Sequence, residues 1–315
     1  MSTTDQPFRI GTRGSPLALA QAHMVRDLIR ETSPELAELI EIEVIKTTGD
    51  KVLDRALSEV GGKGLFTKEI DDAMLERRVH IAVHSMKDVP TWLPDGIVLP
   101  CMTPREDPRD VFISPKAASL GDLPDGAVVG TASLRRQAQI LARFPQLKVE
   151  VFRGNVQTRL KKLEAGDVDA TLLALAGLNR LGMAEVATAI IPEEDLLPAV
   201  GQGAVGITCM ADDPRALEAL ARINDPDTVD RVTAERALLA VLDGSCRTPI
   251  AALARLDGDD MTLEGLVAKP DGSVVHTTTL SGQRADAAEL GTKAGEELLA
   301  KAGPGFLDGL EPGAH

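Results

Sequence analysis

The stretch Ile81–Pro90 reads IAVHSMKDVP and decides how the rest of the sequence is interpreted. It begins as a short apolar run bounded by a proline, which is typical of a buried strand. Ser85, Lys87 and Asp88 follow where that strand ends. Ligands of open α/β sheets bind just beyond the carboxyl ends of strands, so a Lys-Asp pair here suits chemistry on a charged substrate. A Lys and an Asp in a solvated turn is the alternative that position alone leaves open.

The composition restricts the classes of protein. The chain has 315 residues, which is enough for two or three domains, and 43% of them are apolar. A net charge of −14 and only 2% aromatic residues argue against nucleic-acid binding and against an aromatic belt at a membrane. Residues 127–163 nevertheless hold eight Lys or Arg and one acidic residue. This concentration suggests a small anion bound in a pocket, with a solvated, Arg-rich helix face as the alternative.

Metal, disulfide and membrane signals are weak. Cys101, Cys209 and Cys246 are odd in number and far apart, which indicates neither a disulfide framework nor a zinc site. His80 and His84 would lie roughly 13 Å apart on one strand face at ~3.3 Å per residue, too far to share a metal ion. Residues 1–7 are polar, and no apolar run approaches the ~18 residues of a membrane span. We therefore expect a soluble, cytoplasmic protein with no metal and no membrane contact.

Two parts of the chain repeat one design. Phe8–Ile10 reads as a strand and Gly11–Ser15 as a glycine-rich turn, and Ser15 caps a helix that begins at Pro16. Residues 127–137 repeat the order of apolar strand, Gly-Thr, capping Ser and helix. Lys46–Lys51 is expected to be a polar loop. The other expected strands are 41–45, 81–85, 111–113, 149–152, 169–176, 253–256, 261–268 and 273–280, and the other expected helices are 66–77, 156–163, 214–223, 228–242 and 285–301.

This order of elements predicts the architecture. Alternating strands and helices imply parallel sheets with right-handed crossovers, here in two lobes that face each other across a cleft. Residues 197–207 read as the chain crossing back from the second lobe to the first. The strands after residue 250 are joined by Asp-Gly turns and predict a small α+β module with an antiparallel sheet.

Seven motifs in the same order make the sequence resemble the porphobilinogen deaminase (hydroxymethylbilane synthase) family over nearly its full length. They are GTRGSPLA at 11–18, GGKGLF at 61–66, VHSMKDVP at 83–90, SLRRQ at 133–137, RGNVQTR at 153–159, PAVGQGA at 198–204 and the loop around Cys246. The resemblance implies an α/β fold of two periplasmic-binding-protein-like lobes around a cleft plus a small α+β C-terminal domain. The implied domains are 1–103 with 204–221, 109–197, and 225–315.

The resemblance also implies the reaction. Four porphobilinogen molecules are joined head to tail with loss of ammonia, and water releases hydroxymethylbilane for tetrapyrrole biosynthesis. A dipyrromethane cofactor, held by a thioether to Cys246, primes the growing chain. Asp88 is implied as the catalytic group that shuttles the proton and stabilises the cation left by ammonia.

The remaining implied roles follow from the many carboxylates of substrate and cofactor, which Arg binds by charge-assisted hydrogen bonds. The implied cofactor-binding residues besides Cys246 are Lys87, Thr131, Ser133, Arg135, Arg136, Arg153, Gly154 and Gln202. The implied substrate-binding residues are Arg13, Ser15, Lys63, Phe66, Ser85, Arg159 and Arg180. A monomer is the family expectation.

Two features bear on rival interpretations. An anion receptor of the same two-lobed shape would need neither Asp88 nor Cys246. Read without the resemblance, the sequence favours an inert loop cysteine at Cys246 over an attachment site. The chain departs from the usual family pattern at Glu59, where Lys is common, which leaves open how many cations contact late intermediates.

Overall fold

The computed structural model describes residues 6–51, 64, 66–242 and 248–306, which form two compact units. The first unit comprises the described parts of 6–51, 64–106 and 204–229, and the second those of 107–203 and 230–306. The strands in chain order are β1 (Phe8–Arg13), β2 (Ile40–Ile45), β3 (Ile81–Ser85), β4 (Ile97–Met102), β5 (Asp110–Ile113), β6 (Val128–Gly130), β7 (Lys148–Glu150), β8 (Ala170–Ala174), β9 (Ala189–Ile190), β10 (Val205–Met210), β11 (Ile250–Asp257), β12 (Asp260–Ala268) and β13 (Val275–Gln283). The helices are α1 (Pro16–Thr32), α2 (Thr48–Lys51), α3 (Lys68–Leu75), α4 (Leu134–Arg143), α5 (Val156–Glu164), α6 (Leu175–Arg180), α7 (Pro214–Ala221), α8 (Pro226–Val241) and α9 (Ala287–Ala302).

The first unit is organised around a five-stranded mixed sheet in the order β2-β1-β3-β10-β4. Strand β1 pairs in parallel with β2 and β3, whereas β10 is antiparallel to both β3 and β4. The expectation of purely parallel sheets is therefore wrong. The reason is that β10 follows more than a hundred residues of intervening chain and enters the sheet in the opposite direction.

Helix α1 shows why this unit folds as the sequence predicts. The Ser15 hydroxyl accepts a hydrogen bond from the Ala18 amide at 3.3 Å, and Pro16 occupies the first helical position. The helix buries Val25 and Ile29 against the sheet, where Ile81 is also fully buried. Removing these side chains from water is the main force that holds α1 in place.

The second unit repeats the order of the first sheet. Its five strands are arranged β7-β6-β8-β5-β9, with β6 parallel to β7 and β8, and with β5 antiparallel to β8 and β9. In each sheet a parallel trio is joined on one side by an antiparallel pair of strands. The predicted repetition of design is confirmed, with one reversed strand in the interior of each sheet.

The C-terminal module belongs to the second unit. Strands β11, β12 and β13 form an antiparallel sheet, against which α9 packs. Ala138 of α4 and Leu197 share a buried cluster with four residues of this sheet, which are Ala251, Leu253, Leu266 and Ala268. This shared core explains why the module and residues 107–203 form one compact unit.

Several predicted element boundaries are corrected. Residues 11–13 are strand rather than turn, and 48–51 form a helical turn rather than a loop. Residues 175–176, predicted as the end of a strand, begin helix α6 instead. Strand β7 stops at Glu150, and Val151 beyond it is exposed. Strands β4 and β9 were not predicted. Pro100 interrupts the pattern of β4 and is tolerated because β4 is an edge strand.

The α/β class with an additional small α+β module is confirmed by these sheets. The three-domain division stays a prediction. Within the described ranges, none of the helices is both long and apolar enough to cross a membrane.

Candidate functional site

An open pocket lies in the first unit at the carboxyl end of β3, beside the start of α1, and its space is about 410 Å³ when the part open to solvent is included. Five of the residues predicted from the sequence line it, namely Arg13, Ser15, Phe66, Ser85 and Asp88. The pocket therefore lies where ligands of α/β sheets bind. These five residues supply an acid, a guanidinium, two hydroxyls and one aromatic ring.

Asp88 is positioned by a short turn, Met86–Asp88, that continues directly from β3. The Met86 amide donates to the Ala204 carbonyl at 3.0 Å, and the Val89 amide donates to the Met86 carbonyl at 3.1 Å. These bonds fix the turn to the sheet. The Asp88 side chain keeps 31% of its surface exposed, so a bound molecule can reach it.

Arg13 ends β1 and reaches Asp88 from the neighbouring strand. Its Nη1 atom lies 3.8 Å from Asp88 Oδ2, and its Cζ atom lies 4.2 Å from the centroid of the Phe66 ring. A guanidinium over an aromatic face gains cation–π attraction. Arg13 is thus held by two neighbours in an orientation that suits binding of a carboxylate.

Three polar residues of this pocket were missed in the sequence, namely Gln21, Thr67 and His84. Gln21 of α1 is only 3% exposed, and its Nε2 atom donates to Ser85 Oγ at 2.9 Å. Gln21 could have been found in the sequence because it is a glutamine on the apolar face of α1. His84 is buried with Nε2 3.0 Å from Thr208 Oγ1, and burial followed by the nearby charge of Arg13 lowers the pKa of His84 to about 4. His84 is therefore a neutral hydrogen-bonding group at neutral pH.

Lys87 precedes Asp88 on the same turn and is exposed. Lys87 is not among the described residues that line the pocket. Its predicted contact with the cofactor stays a prediction.

A second group of predicted residues lies in the second unit, where β6 ends and α4 begins. Thr131 Oγ1 accepts a hydrogen bond from the Ser133 amide at 3.2 Å, and Ser133 caps α4 by accepting from the Arg136 amide at 3.4 Å. Arg135 and Arg136 are consequently fixed in the first turn of the helix.

Both arginines are engaged by a carboxylate that the sequence analysis did not single out. Asp110 Oδ2 lies 2.6 Å from Arg135 Nη2, and Asp110 Oδ1 lies 2.7 Å from Arg136 Nη2. All three side chains are buried, with at most 7% of their surface exposed. Burial alone would raise the pKa of Asp110, but the two guanidiniums hold it far below its usual range.

The arginine pair retains unused donors. Arg135 Nη1 also donates to the Leu197 carbonyl and Arg136 Nη1 to the Leu172 carbonyl, while the Nε atoms of both are buried without a hydrogen-bond partner among the described residues. A buried donor that lacks an acceptor costs about 1–3 kcal/mol. Direct binding of cofactor carboxylates by these two residues stays a prediction.

Arg153 and Arg159 extend the positive charge of this unit. Arg159 Nε donates to the Gly154 carbonyl at 2.9 Å. Burial, followed by the charges of Arg136 and Arg153, lowers the pKa of Arg159 to about 10. Guanidiniums that repel one another in this way favour a bound anion, and the residues therefore fit a cofactor that carries several carboxylates.

Gly154 and Arg180 have structural explanations of their own. Gly154 has φ +128°, and a Cβ atom there would lie 2.8 Å from Thr158 Cβ, so only glycine is accommodated. Arg180, the last residue of α6, donates from Nη2 to the Gly203 carbonyl at 2.7 Å. Gln202 is buried and donates from Nε2 to the Pro108 carbonyl and to Asp110 Oδ1.

Three residues named in the sequence analysis lie outside the described residues: Lys63, Cys246 and Glu59. Within the described ranges, no group of three or more His, Cys, Asp or Glu residues is close enough to hold a metal ion.

Comparison with known families and proteins gives a consistent result. The family model for "Porphobilinogen deaminase, dipyromethane cofactor binding domain" matches residues 8–218, and the model for the C-terminal domain of porphobilinogen deaminase matches residues 229–300. The chain is 59% identical over 309 residues to the chloroplastic porphobilinogen deaminase of Oryza sativa subsp. japonica, covering 96% of this chain and 86% of the relative. It is 56% identical over 308 residues to porphobilinogen deaminase of Paracoccus denitrificans, covering 98% of each chain.

Solved structures with a similar fold share little sequence. A periplasmic substrate-binding protein of an ABC transporter from Coxiella burnetii is 14% identical with a TM-score of 0.44, over 73% of this chain and 96% of that one. A methionine-binding protein is 13% identical with a TM-score of 0.44, over 73% and 94% of the two chains.

The family matches define a transferase of tetrapyrrole biosynthesis that uses a dipyrromethane cofactor. The chain belongs to the porphobilinogen deaminase family. This family acts on porphobilinogen and forms hydroxymethylbilane.

Proposed function

We propose that Asp88 is the catalytic acid–base residue with which this chain joins porphobilinogen units. The observation that carries the proposal is the pocket in the first unit. Among the described residues that line it, Asp88 is the only acid, and Arg13 lies 3.8 Å from it. A carboxylate next to a carboxylate-binding cation matches a substrate that has both a protonated aminomethyl group and acidic side chains.

The roles within the pocket follow from this chemistry. Arg13, with Ser15 and Ser85, binds the acetate and propionate groups of the substrate by hydrogen bonds. Asp88 faces the aminomethyl group, stabilises the positive charge that develops as ammonia leaves, and accepts the proton that the attacking pyrrole carbon loses when the new carbon–carbon bond forms. Phe66 packs against the pyrrole ring. Lys63 and Arg180 add further carboxylate contacts as the product lengthens, together with Arg159.

We further propose that dipyrromethane is attached through a thioether to Cys246, where it provides the end to which the first substrate is joined. Its carboxylates are held by Arg153, with Arg135 and Arg136 contributing their spare donors. Additional contacts come from the other predicted residues, which are Lys87, Thr131, Ser133, Gly154 and Gln202. The unpartnered Nε atoms and the lowered pKa of Arg159 support this assignment.

The domain roles, partners and compartment are part of the same proposal. Residues 1–103 with 204–221 carry the catalytic acid, 109–197 bind the carboxylates, and 225–315 carry the cysteine. The chain works as a cytoplasmic monomer on a small substrate, without nucleic acid or membrane. The net charge of −14 supports this view because it repels nucleic acids and anionic lipid surfaces.

Intact-mass spectrometry tests the proposal. The chain, expressed in a host that makes porphobilinogen, should carry the mass of two porphobilinogen units less two ammonias, since each new bond to carbon releases one ammonia. Cys246→Ser should lack this mass. Cys209→Ala is the matched control, because Cys209 is a buried free thiol in β10 and should keep the adduct. An unmodified wild-type chain, or an adduct on Cys246→Ser, would contradict the assignment.

A further inference from the structure

A second buried carboxylate in the second unit holds the segment that leads to the arginine pair. Glu235 of α8 is fully buried. Its Oε2 atom accepts from the Gly201 amide at 2.7 Å, and its Oε1 atom accepts from the Ala254 amide at 2.9 Å. A carboxylate in this environment is tolerated because hydrogen bonds replace those it would make to water.

These bonds join three parts of the chain. Ala254 lies in β11 of the C-terminal sheet, Glu235 in the preceding helix, and Gly201 in the segment between Leu197 and β10. Gly201 has φ +67°, a conformation that glycine adopts without strain. Val200, the residue before it, packs with Ala234 in the hydrophobic cluster of the C-terminal module. The segment is therefore fastened to α8 by a hydrogen bond and by shared burial in this cluster.

The next residue carries the connection onward. Gln202 Nε2 donates to Asp110 Oδ1 at 2.9 Å, and the same carboxylate binds Arg135 and Arg136. An uninterrupted series of buried contacts thus runs from Glu235 through Gly201 and Gln202 to the two guanidiniums. Each group in it is oriented by its neighbour, so a shift at Glu235 is transmitted to the arginine pair.

The position of Glu235 relative to Cys246 in the sequence connects this series of contacts with cofactor attachment. Helix α8 ends at Val241, and Cys246 follows five residues later. We propose that Glu235 is a positioning residue that sets the register between the helix preceding Cys246 and the arginine pair, and so controls how fast the dipyrromethane cofactor becomes attached. This inference rests on the proposed function, since it assumes attachment at Cys246.

The chemistry of glutamate suits this role. A glutamine would accept one backbone N–H but would turn its NH₂ group towards the other, leaving a buried donor unpaired. An aspartate is one methylene shorter and cannot reach both amides while α8 stays in place. Either change loosens the segment while leaving the arginines and the cysteine chemically intact.

The test follows covalent attachment directly. Wild type, Glu235→Gln and Glu235→Asp are produced without cofactor in a host that cannot make porphobilinogen, then mixed with porphobilinogen, and the adduct is followed by intact mass. The two variants should acquire it at least about tenfold more slowly than wild type, the size of effect that a small misplacement produces. Gln202→Leu, which interrupts the next link, should show the same defect.

Leu263→Ala is the matched control, because Leu263 of β12 is fully buried in the same module and its side chain has no polar atom that could take part in these hydrogen bonds. This control variant should have a melting temperature as low as that of Glu235→Gln. It should nevertheless acquire the cofactor at nearly the wild-type rate. Loading of Glu235→Gln within twofold of wild type, or an equal delay in Leu263→Ala, would overturn the inference. If wild type itself gains no adduct, the proposed attachment at Cys246 fails instead.

Discussion

The Arg13 guanidinium lies 3.8 Å from the Asp88 carboxylate, from Nη1 to Oδ2, although the two residues are 75 positions apart in the sequence. The contact arises because β1 and β3 are parallel neighbours, so that their carboxyl ends meet at one edge of the sheet. Both side chains stay partly exposed in the pocket. The pair is therefore accessible to a ligand rather than closed off from solvent.

Replacing the acid of this pair should slow turnover strongly without preventing substrate binding. We expect Asp88→Asn to consume porphobilinogen ~10²–10⁴-fold more slowly, the usual effect of removing general acid–base help. Its cofactor content, measured by intact mass, reports whether the pocket remains formed. Asp95→Asn is the control, because Asp95 is exposed in the same unit and should leave the rate unchanged. Near-normal turnover by Asp88→Asn would remove this residue from the mechanism.

Replacing the cation of this pair should mainly lower kcat/KM for porphobilinogen. Arg13→Met keeps apolar contact with Phe66 but loses a charged hydrogen bond worth about 1.5–3 kcal/mol, so kcat/KM should fall roughly 10–100-fold. Steady-state kinetics provide the measurement. Arg9→Met is the control, because Arg9 lies on the same strand and pairs with Glu41 in an exposed position. Equal effects of the two substitutions would argue against a specific role for Arg13.

Removing the shared counterion of the arginine pair should destabilise the fold. Asp110→Asn leaves two buried guanidiniums without a full negative charge, a change that costs about 3–5 kcal/mol in comparable buried pairs. Urea unfolding at pH 7 measures this loss. Asp212→Asn should barely move the unfolding midpoint, because Asp212 pairs with Arg77 at the surface. The contribution of Asp110 is present above the ordinary pKa of Asp and is lost at lower pH, since its folded-state pKa is depressed.

His84 should add to the loss of stability in mild acid. Its pKa is about 4 when buried, so between pH 6.5 and 4 the unfolded chain binds a proton that the folded chain does not, and stability falls as pH falls. His84→Gln lacks this term. Between pH 7 and pH 4, the free energy of unfolding of the variant should rise relative to that of wild type by roughly 1–3 kcal/mol.

Urea unfolding of both proteins across this pH range isolates the histidine, because the carboxylates titrate alike in each. His23→Gln serves as the control for the substitution itself, since His23 is exposed on α1. A constant difference between His84→Gln and wild type would exclude the proposed contribution.

Local signals in the sequence predicted local structure well. Ser15 and Ser133 were expected to cap helices and do so, and the apolar run before Ser85 forms the expected strand with Asp88 just beyond it. These features depend on residues within a few positions of one another. Strand β4 was missed because Pro100 weakens a signal that only its place at the sheet edge makes acceptable.

The sequence by itself determined the repeated order of strands and helices, the family and the residues that end strand β3, because periodicity, caps and motifs act over short stretches of chain. Only the tertiary structure decided that the interior strands β10 and β5 run backwards, that Asp110 binds Arg135 and Arg136, and that Glu235 holds Gly201. Such pairings join residues separated by tens of positions. They are selected by the burial of whole faces and by the need of each buried charge for a partner, which no local pattern records.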